Sequence, residues 1–347
     1  MARHHRLLPV LGEELSGAAA DGAAAFLNAH LFAGLEEFSG HLVCEQGFRP
    51  EHDRLSRAGL ETRPVLDGRF SRVIVEAGRN RKLNMGTVAR GCSMLKPGGK
   101  LIVDGQKTDG IDSLLRDLRK LLPVPEIFSK GHGKVGVTGP LEGFPDGMAA
   151  WLKGAAPTVN KDGFLTAPGM FGHAGVDGGS RRLAEHFSPN ASGDAADLGA
   201  GWGWLSYELL RRAPSITRCD LFEADHAALA AARRNVADPR AGFHWSDVNE
   251  VSSGRQIFDL VVSNPPFHEG RAADPELGAQ FVVAAAHILK PQGEAIFVAN
   301  RQLPYESVFE RNFAEWRIAE QDSAFKVIRA TRPRGKVEKR SSRRRKR

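Results

Sequence analysis

Three pairs of segments recur along this chain at nearly the same spacing, and that recurrence restricts its fold more than any other feature. Phe70-Ser-Arg-Val-Ile-Val-Glu76 parallels Phe258-Asp-Leu-Val-Val-Ser-Asn264 at an offset of 188. Lys96-Pro-Gly-Gly-Lys-Leu-Ile-Val103 parallels Lys290-Pro-Gln-Gly-Glu-Ala-Ile-Phe297 at 194, and Lys134-Val-Gly-Val137 parallels Lys326-Val-Ile-Arg329 at 192. Each match is short. Like elements in the same order at a near-constant offset indicate an internal duplication. The 347 residues are enough for two domains of ordinary size.

Within each copy, short apolar strands alternate with helical stretches, the pattern of βαβ units and a largely parallel sheet. In the second copy, strands are expected from Asp194 to Gly199, Arg218 to Glu223, Gly242 to Val248, Phe258 to Ser263 and Glu294 to Ala299. Helices are expected from Trp204 to Arg212, His226 to Val236 and Asp274 to Leu289, the last stopped by Lys290-Pro-Gln-Gly293. In the first copy, Ser71 to Glu76 and Lys100 to Val103 read as strands, and Lys82 to Leu95 and Ile111 to Leu122 as helices. Gly139-Pro140 and Phe144-Pro-Asp-Gly147 mark loops. The expected organisation is a domain over 1–145, a second over 146–333 and a disordered basic tail over 334–347.

The net charge of +7 belongs to that tail. From Arg329 to Arg347 there are eleven Lys or Arg against the single Glu338, a local balance of +10, which leaves the rest of the chain at −3. A block of like charge repels itself and stays unfolded. It suits an electrostatic arm for the phosphate backbone of RNA; a solvated tail without a role is the plain alternative. No apolar run approaches the length of a membrane span, so no membrane partner is expected. Leu7 to Leu11 is too short for a signal-peptide core, and the cytoplasm is the expected compartment. Cys44, Cys92 and Cys219 show no metal spacing and read as buried small hydrophobes in a reducing environment.

Four stretches carry candidate chemistry. Asp197-Leu-Gly-Ala-Gly-Trp-Gly203 follows a strand and opens a helix, where Gly199, Gly201 and Gly203 let the backbone pass close to a ligand. Asp197, just ahead of the glycines, could meet a cationic amino group. Glu223, ending the next strand, could accept from both ribose hydroxyls of a nucleoside-like cofactor, with Asp225 as a competitor that also suits a helix cap. Asp247, after a further strand, could receive an adenine amino group or cap a turn. Asn264-Pro-Pro-Phe267 is the most specific signal. Pro265 and Pro266 fix φ and remove two donors, leaving carbonyl acceptors beside the Asn264 oxygen. Such a set accepts both hydrogens of a planar amino group and aims its lone pair at a methyl carbon. Phe267 offers a face on which an extruded base can stack.

With these residues in view, the run from Phe171 to Arg329 resembles the catalytic domain of class I, Rossmann-like methyltransferases that use S-adenosylmethionine. More narrowly it resembles the bacterial ribosomal RNA guanine-N2 methyltransferases, above all those of the 16S small subunit. The likeness rests on Gly169-Met-Phe-Gly172 with Val176-Asp-Gly-Gly-Ser180, and on Asp197 to Gly203. It continues through Ser263-Asn-Pro-Pro-Phe-His-Glu-Gly270, Val298-Ala-Asn300 with Leu303-Pro-Tyr305, and Phe325-Lys-Val-Ile-Arg-Ala330. The resemblance implies an α/β protein of two tandem Rossmann-like methyltransferase domains, with mostly parallel sheets, helices on both faces and an antiparallel hairpin ending each. It implies that Asp197, Gly199, Gly201 and Gly203 hold the methionine end of S-adenosylmethionine, Glu223 the ribose and Asp247 the adenine. Asn264, Pro265, Pro266 and Phe267 would hold the guanine, and Phe171 to Ser180 would cover the cofactor pocket. Trp202 and Trp204 stand where the family leads one to expect small or branched residues. The first domain has Glu76-Ala-Gly-Arg79 in place of Asn-Pro-Pro-Phe and no glycine turn, as fits a scaffold or RNA platform to which Arg79, Arg81 and Lys82 could add phosphate contacts.

The expected partner is ribosomal RNA or the small ribosomal subunit, with no metal required. Alternatives are the same chemistry on large-subunit RNA, on adenine or cytosine amino groups of DNA or on a protein glutamine, or a non-enzymatic RNA-binding assembly factor with a vestigial fold.

Overall fold

A computed structural model describes residues 5–16, 23–251, 256–266, 268–269, 272–273 and 275–334; at 268, 269, 272, 273 and 275 only the backbone is described. Phe267 and the tail from 335 onward lie outside the described residues. The chain divides into two compact units. One comprises residues up to His173 with Asp225–Ala227, the other Ala174–Ala224 with everything from Ala228 onward.

The first unit runs α1 (Leu7–Leu15), β1 (Ala24–Leu27), β2 (Leu42–Glu45), α2 (Arg49–Arg57), β3 (Glu61–Arg63), β4 (Phe70–Ala77), α3 (Arg81–Ser93) and β5 (Leu95–Gln106). It continues with α4 (Ile111–Leu118), β6 (Glu126–Lys130), β7 (Gly133–Val137), α5 (Met148–Ala155), β8 (Thr158–Val159) and β9 (Leu165–Thr166). Its seven-stranded sheet has the order β3-β2-β1-β4-β5-β7-β6, with β6 and β7 antiparallel. Side chains alternate across it. Ala25, Leu27, Val73 and Val75 enter one core with residues of α3, α4 and α5. Ala24, Phe26 and Ile74 enter the other with residues of α1 and α2. Met148 and Trp151 of α5 belong to the first of these cores, so that helix packs with the first sheet. Arg6 closes the N-terminal segment onto the sheet through two bonds to buried Asp104, at 2.5 and 2.8 Å.

The second unit runs α6 (Gly178–Glu185), β10 (Gly193–Leu198), α7 (Trp204–Arg212), β11 (Ile216–Glu223), α8 (His226–Asn235) from Ala228 on, β12 (Ala241–Trp245), α9 (Val248–Val251) and β13 (Phe258–Ser263). It continues with β14 (His268–Glu269), β15 (Ala272–Ala273), α10 (Pro275–Ile288), β16 (Leu289–Asn300), α11 (Glu306–Asn312), β17 (Phe313–Gln321) and β18 (Phe325–Pro333). The order β12-β11-β10-β13-β16-β18-β17 repeats the first sheet strand for strand, ending again in an antiparallel pair. The expected duplication is therefore a duplication of topology. Ala196, Leu198 and Val261 face a core with α10 and α11, while Ala195, Leu260 and Val262 face one with α6, α7 and α8.

Two local expectations need correction. Lys290-Pro-Gln-Gly293 does not separate helix from strand: β16 opens at Leu289, opposite Phe258, and the next pairing is Leu260 with Glu294. The Pro-Gly segment is thus a bulge inside one pairing, and β5 repeats it, with Phe70 opposite Leu95 and Arg72 opposite Lys100. The strand expected to reach Val248 ends at Trp245, and Val248 opens α9. The three cysteines are buried and free. Among the described residues no helix is long and apolar enough to cross a membrane.

Candidate functional site

The second sheet reverses its winding between β10 and β13, which are parallel neighbours with Asp197 opposite Val262. In such sheets the crevice beyond the strand C-termini at the reversal is where a ligand fits. The glycine turn leaves β10 there and Asn264 leaves β13 there. Ser263, fully buried, fastens the two ends by donating its hydroxyl to the Leu198 carbonyl at 2.7 Å.

Gly199, Gly201 and Gly203 all have positive φ, at 71°, 56° and 89°. A Cβ at Gly199 would stand 2.9 Å from Phe281, and one at Gly203 would stand 2.8 Å from Val236, so those two glycines let α10 and α8 pack close. A Cβ at Gly201 would meet nothing within 4 Å; its absent side chain faces open space. The Gly201 N–H donates to Glu223 Oε2 at 2.8 Å, which places the carboxylate expected to take the ribose beside the glycine expected to border the methionine. Trp202 is buried and its carbonyl accepts from Asn235 Nδ2 at 2.9 Å, while Arg181 lies 5.9 Å from the Trp204 ring centroid.

Asp197 is fully buried and turned toward α7, where its Oδ2 accepts from Ser206 Oγ at 2.7 Å. Its Oδ1 has no hydrogen-bond partner. Burial pushes its pKa up to about 7, against the opposing hydrogen bonds from Ser206. An orphaned buried acceptor at the strand end that leads into the glycine turn fits a ligand carrying an amino group and a positive charge. Asp247 Oδ1 accepts from the Asn249 backbone and side chain at 2.9 and 3.0 Å and so caps the turn into α9. Asp225 Oδ1 accepts from the Ala227 N–H at 2.8 Å.

Asn264 is half-buried, Pro265 buried and Pro266 exposed. Asn264 Nδ2 donates to Asp177 Oδ2 at 3.1 Å and to Ser180 Oγ at 2.8 Å. These partners open α6, which is anchored to the C-terminal hairpin by Arg182 paired with Glu320 and, at 2.7 Å, with Asp322. Of the lead-in expected to cover the cofactor, Asp177 and Ser180 thus reach the Asn-Pro-Pro turn. Ser206 and this Asp177–Ser180 contact were not assigned from the sequence. Asp177-Gly-Gly-Ser180 does carry a local signal, an acidic N-cap three residues ahead of its partner. Among the described residues no group of three or more His, Cys, Asp or Glu could hold a metal ion.

Residues 161–329 match the family model of the methyltransferase small domain. The ribosomal RNA small subunit methyltransferase C of Klebsiella pneumoniae is 32% identical over 250 residues, 68% of this chain and 68% of that protein. That of Chromohalobacter salexigens is 34% identical over 251 residues, 70% of this chain and 73% of that protein. The chain belongs to the ribosomal RNA small subunit methyltransferase C family. Among solved structures, the T. thermophilus 16S ribosomal RNA N2 methyltransferase, in complex with AdoMet and guanosine, matches with a TM-score of 0.75 and 25% identity. The match covers 90% of this chain and 88% of that one. The chain is accordingly a class I methyltransferase whose cofactor is S-adenosylmethionine.

In this family member the first unit repeats the strand ends that form the crevice, with other side chains on them. Leu27 lies opposite both Glu45 and Val75, as Leu198 lies opposite Phe222, so Asn28, His30 and Gln46 take the places of Gly199, Gly201 and Glu223. Asn28 keeps the left-handed backbone, φ 55°, where an Asn is tolerated. Glu76, in the place of Asn264, accepts from the His30 N–H at 3.1 Å and pairs with its ring, which raises the His30 pKa. Gln46 donates to the Ala29 carbonyl at 2.8 Å. The carboxylate and the open glycine of the second unit are both missing, and Glu76 and Gln46 bond to the backbone of His30 and Ala29 instead.

Proposed function

We propose that this chain transfers a methyl group from S-adenosylmethionine to the exocyclic N2 of a guanine in 16S ribosomal RNA of the small subunit. The observation that carries the reading is the fastening of the β10 and β13 ends by Ser263 and Leu198, which brings an open glycine turn and an Asn-Pro-Pro turn to one crevice. The names of the relatives and the guanosine complex of the T. thermophilus enzyme support the target.

Glu223 and Gly201 would border the ribose and the methionine portion, with Asp247 toward the adenine and Asp197 Oδ1 as acceptor for the amino group. When bound, S-adenosylmethionine supplies an electrophilic methyl whose sulfonium leaves as a neutral thioether. The chain's task is to present a weak nucleophile. The N2 lone pair of guanine is delocalised into the ring, and Asn264 Oδ1 with the Pro265 carbonyl would accept its two hydrogens and favour the pyramidal nitrogen of the transition state. Phe267 would stack on the base. After transfer N2 sheds one proton to solvent. The first unit would serve as scaffold or RNA platform, and the basic tail would contact the RNA backbone.

The test is incubation with methyl-labelled S-adenosylmethionine and, separately, small-subunit particles, large-subunit particles and genomic DNA from a strain lacking the gene. Labelled N2-methylguanosine in small-subunit RNA is expected. Label confined to the large subunit or to DNA would change the target, and no label would favour a vestigial RNA-binding protein.

A further inference from the structure

We propose that Asp177 and Ser180 are positioning residues for Asn264: together they take its amide hydrogens and fix which end of the side chain faces the crevice. The proposal rests on the reading of Asn264 as the acceptor of the guanine amino group.

An Asn side chain carries two donors on nitrogen and an acceptor oxygen, and turning it over exchanges them. Asn264 Nδ2 sits 3.1 Å from Asp177 Oδ2 and 2.8 Å from Ser180 Oγ. A hydroxyl tolerates either orientation, because it both donates and accepts. An ionised carboxylate only accepts, so it rejects the flipped amide, whose oxygen would face its own. Asp177 thereby sets the orientation, and Asn264 Oδ1 is the end left to receive an amino hydrogen.

The start of α6 is built to hold that carboxylate in place. Asp177 Oδ2 also accepts from the Ser180 backbone N–H at 3.1 Å. A Cβ at Gly179 would stand 3.0 Å from Asp177 Oδ2 and 3.0 Å from the Phe325 ring, and one at Gly178 would stand 3.4 Å from the same ring. The absence of both side chains lets the helix begin against β18 with the carboxylate folded over its first turn. Arg182, one turn on, ties the helix to Glu320 and Asp322.

A plain helix cap would account for the Ser180 N–H contact but not for Asn264, and a reciprocal exchange separates the two roles. Asn caps a helix as well as Asp does, so Asp177→Asn keeps the cap. Asn264→Asp sets two carboxylates against each other; adding Asp177→Asn with its amide turned restores a donor–acceptor pair with its partners exchanged, and gives up the Ser180 N–H bond, because one oxygen, Asp177 Oδ2, makes both contacts. Initial rates would be measured on small-subunit particles at saturating S-adenosylmethionine. Asp177→Asn is expected to lower kcat about tenfold, and Asn264→Asp about 100-fold, because small misplacements of a reacting group cost this much. The double variant is expected to regain about tenfold over Asn264→Asp. Cofactor affinity should stay near that of the wild type throughout, and Tm should do so in the single variants, with a modest fall in the double variant from the lost cap.

A double variant no faster than Asn264→Asp would overturn the positioning role. Asn264→Ala, run alongside, tests the underlying reading. If it transfers methyl normally, Asn264 is not the acceptor of the amino group; if it is inactive and the exchange fails, only the role of Asp177 and Ser180 falls.

Discussion

The backbone N–H of Gly201 donates to Glu223 Oε2 across 2.8 Å, which couples the open point of the glycine turn to the end of β11. A carboxylate so held is oriented before any ligand arrives, and hydrogen bonds to a charged group contribute about 1.5–3 kcal/mol each. Glu223→Ala should therefore weaken binding of S-adenosylhomocysteine about 10- to 100-fold in calorimetry, with kcat at saturating cofactor nearly unchanged. Unaltered affinity would show that the ribose is held elsewhere.

Gly201 and Gly203 should fail differently when substituted. The space beside Gly201 is open, so Gly201→Leu meets only the left-handed backbone, φ 56°, at a cost of about 1–2 kcal/mol. It should leave a folded protein that no longer binds the cofactor. Gly203→Leu would drive its Cβ to 2.8 Å from Val236 and 3.1 Å from Ala232, so it should lower Tm markedly. Thermal melts read beside calorimetry check both. A Gly201 variant that still binds would mean that the open space is not where the ligand approaches.

The strands and the Asn-Pro-Pro turn were legible because each is written in a single segment, and the duplication because like segments recur at a near-constant offset. The apolar run from Phe258 to Ser263 ends as a strand must before two prolines, and the glycines announce the turn after Leu198. What brings Asn264 to Asp177 and Ser180 spans 87 and 84 residues, and no periodicity records a side-chain pairing at that distance. Asp197 shows the same limit. Its place before the glycines was readable, whereas its burial against Ser206 depends on how α7 lies on the sheet. Pro291 and Gly293 misled because turn residues also make bulges, and here the neighbouring strand continues the pairing past them.

Asp197 gives the stability a defined pH dependence. Burial raises its folded-state pKa to about 7 from an ordinary 3.8. As pH rises from 4 the unfolded chain releases this proton while the folded chain keeps it, so the group's contribution to stability declines up to pH 7 and levels off above. Asp197→Asn cannot titrate. The Tm difference between Asp197→Asn and wild type, both without cofactor, should therefore move in favour of the variant between about pH 4 and 7 and stay constant above. A difference that does not change with pH would show that Asp197 ionises normally in the fold.

Beyond Arg334 the chain carries eight Lys or Arg and one Glu, a charge of +7, so residues 1–334 have no net charge. Truncation after Arg334 thus removes the whole net positive charge and leaves the described site untouched. Each phosphate neutralised on single-stranded nucleic acid adds about 0.7 to the slope of log affinity against log salt. If about four of the eight side chains engage phosphates, truncation should flatten that slope by about 3. The loss should fall on KM, more heavily at 50 mM than at 200 mM salt, while kcat on saturating particles stays near wild type, because the tail acts on encounter and retention. A truncated protein with the full-length salt slope would show that the tail makes no phosphate contacts, and RNA capture would then have to come from exposed cations of the folded units such as Arg79 and Arg81.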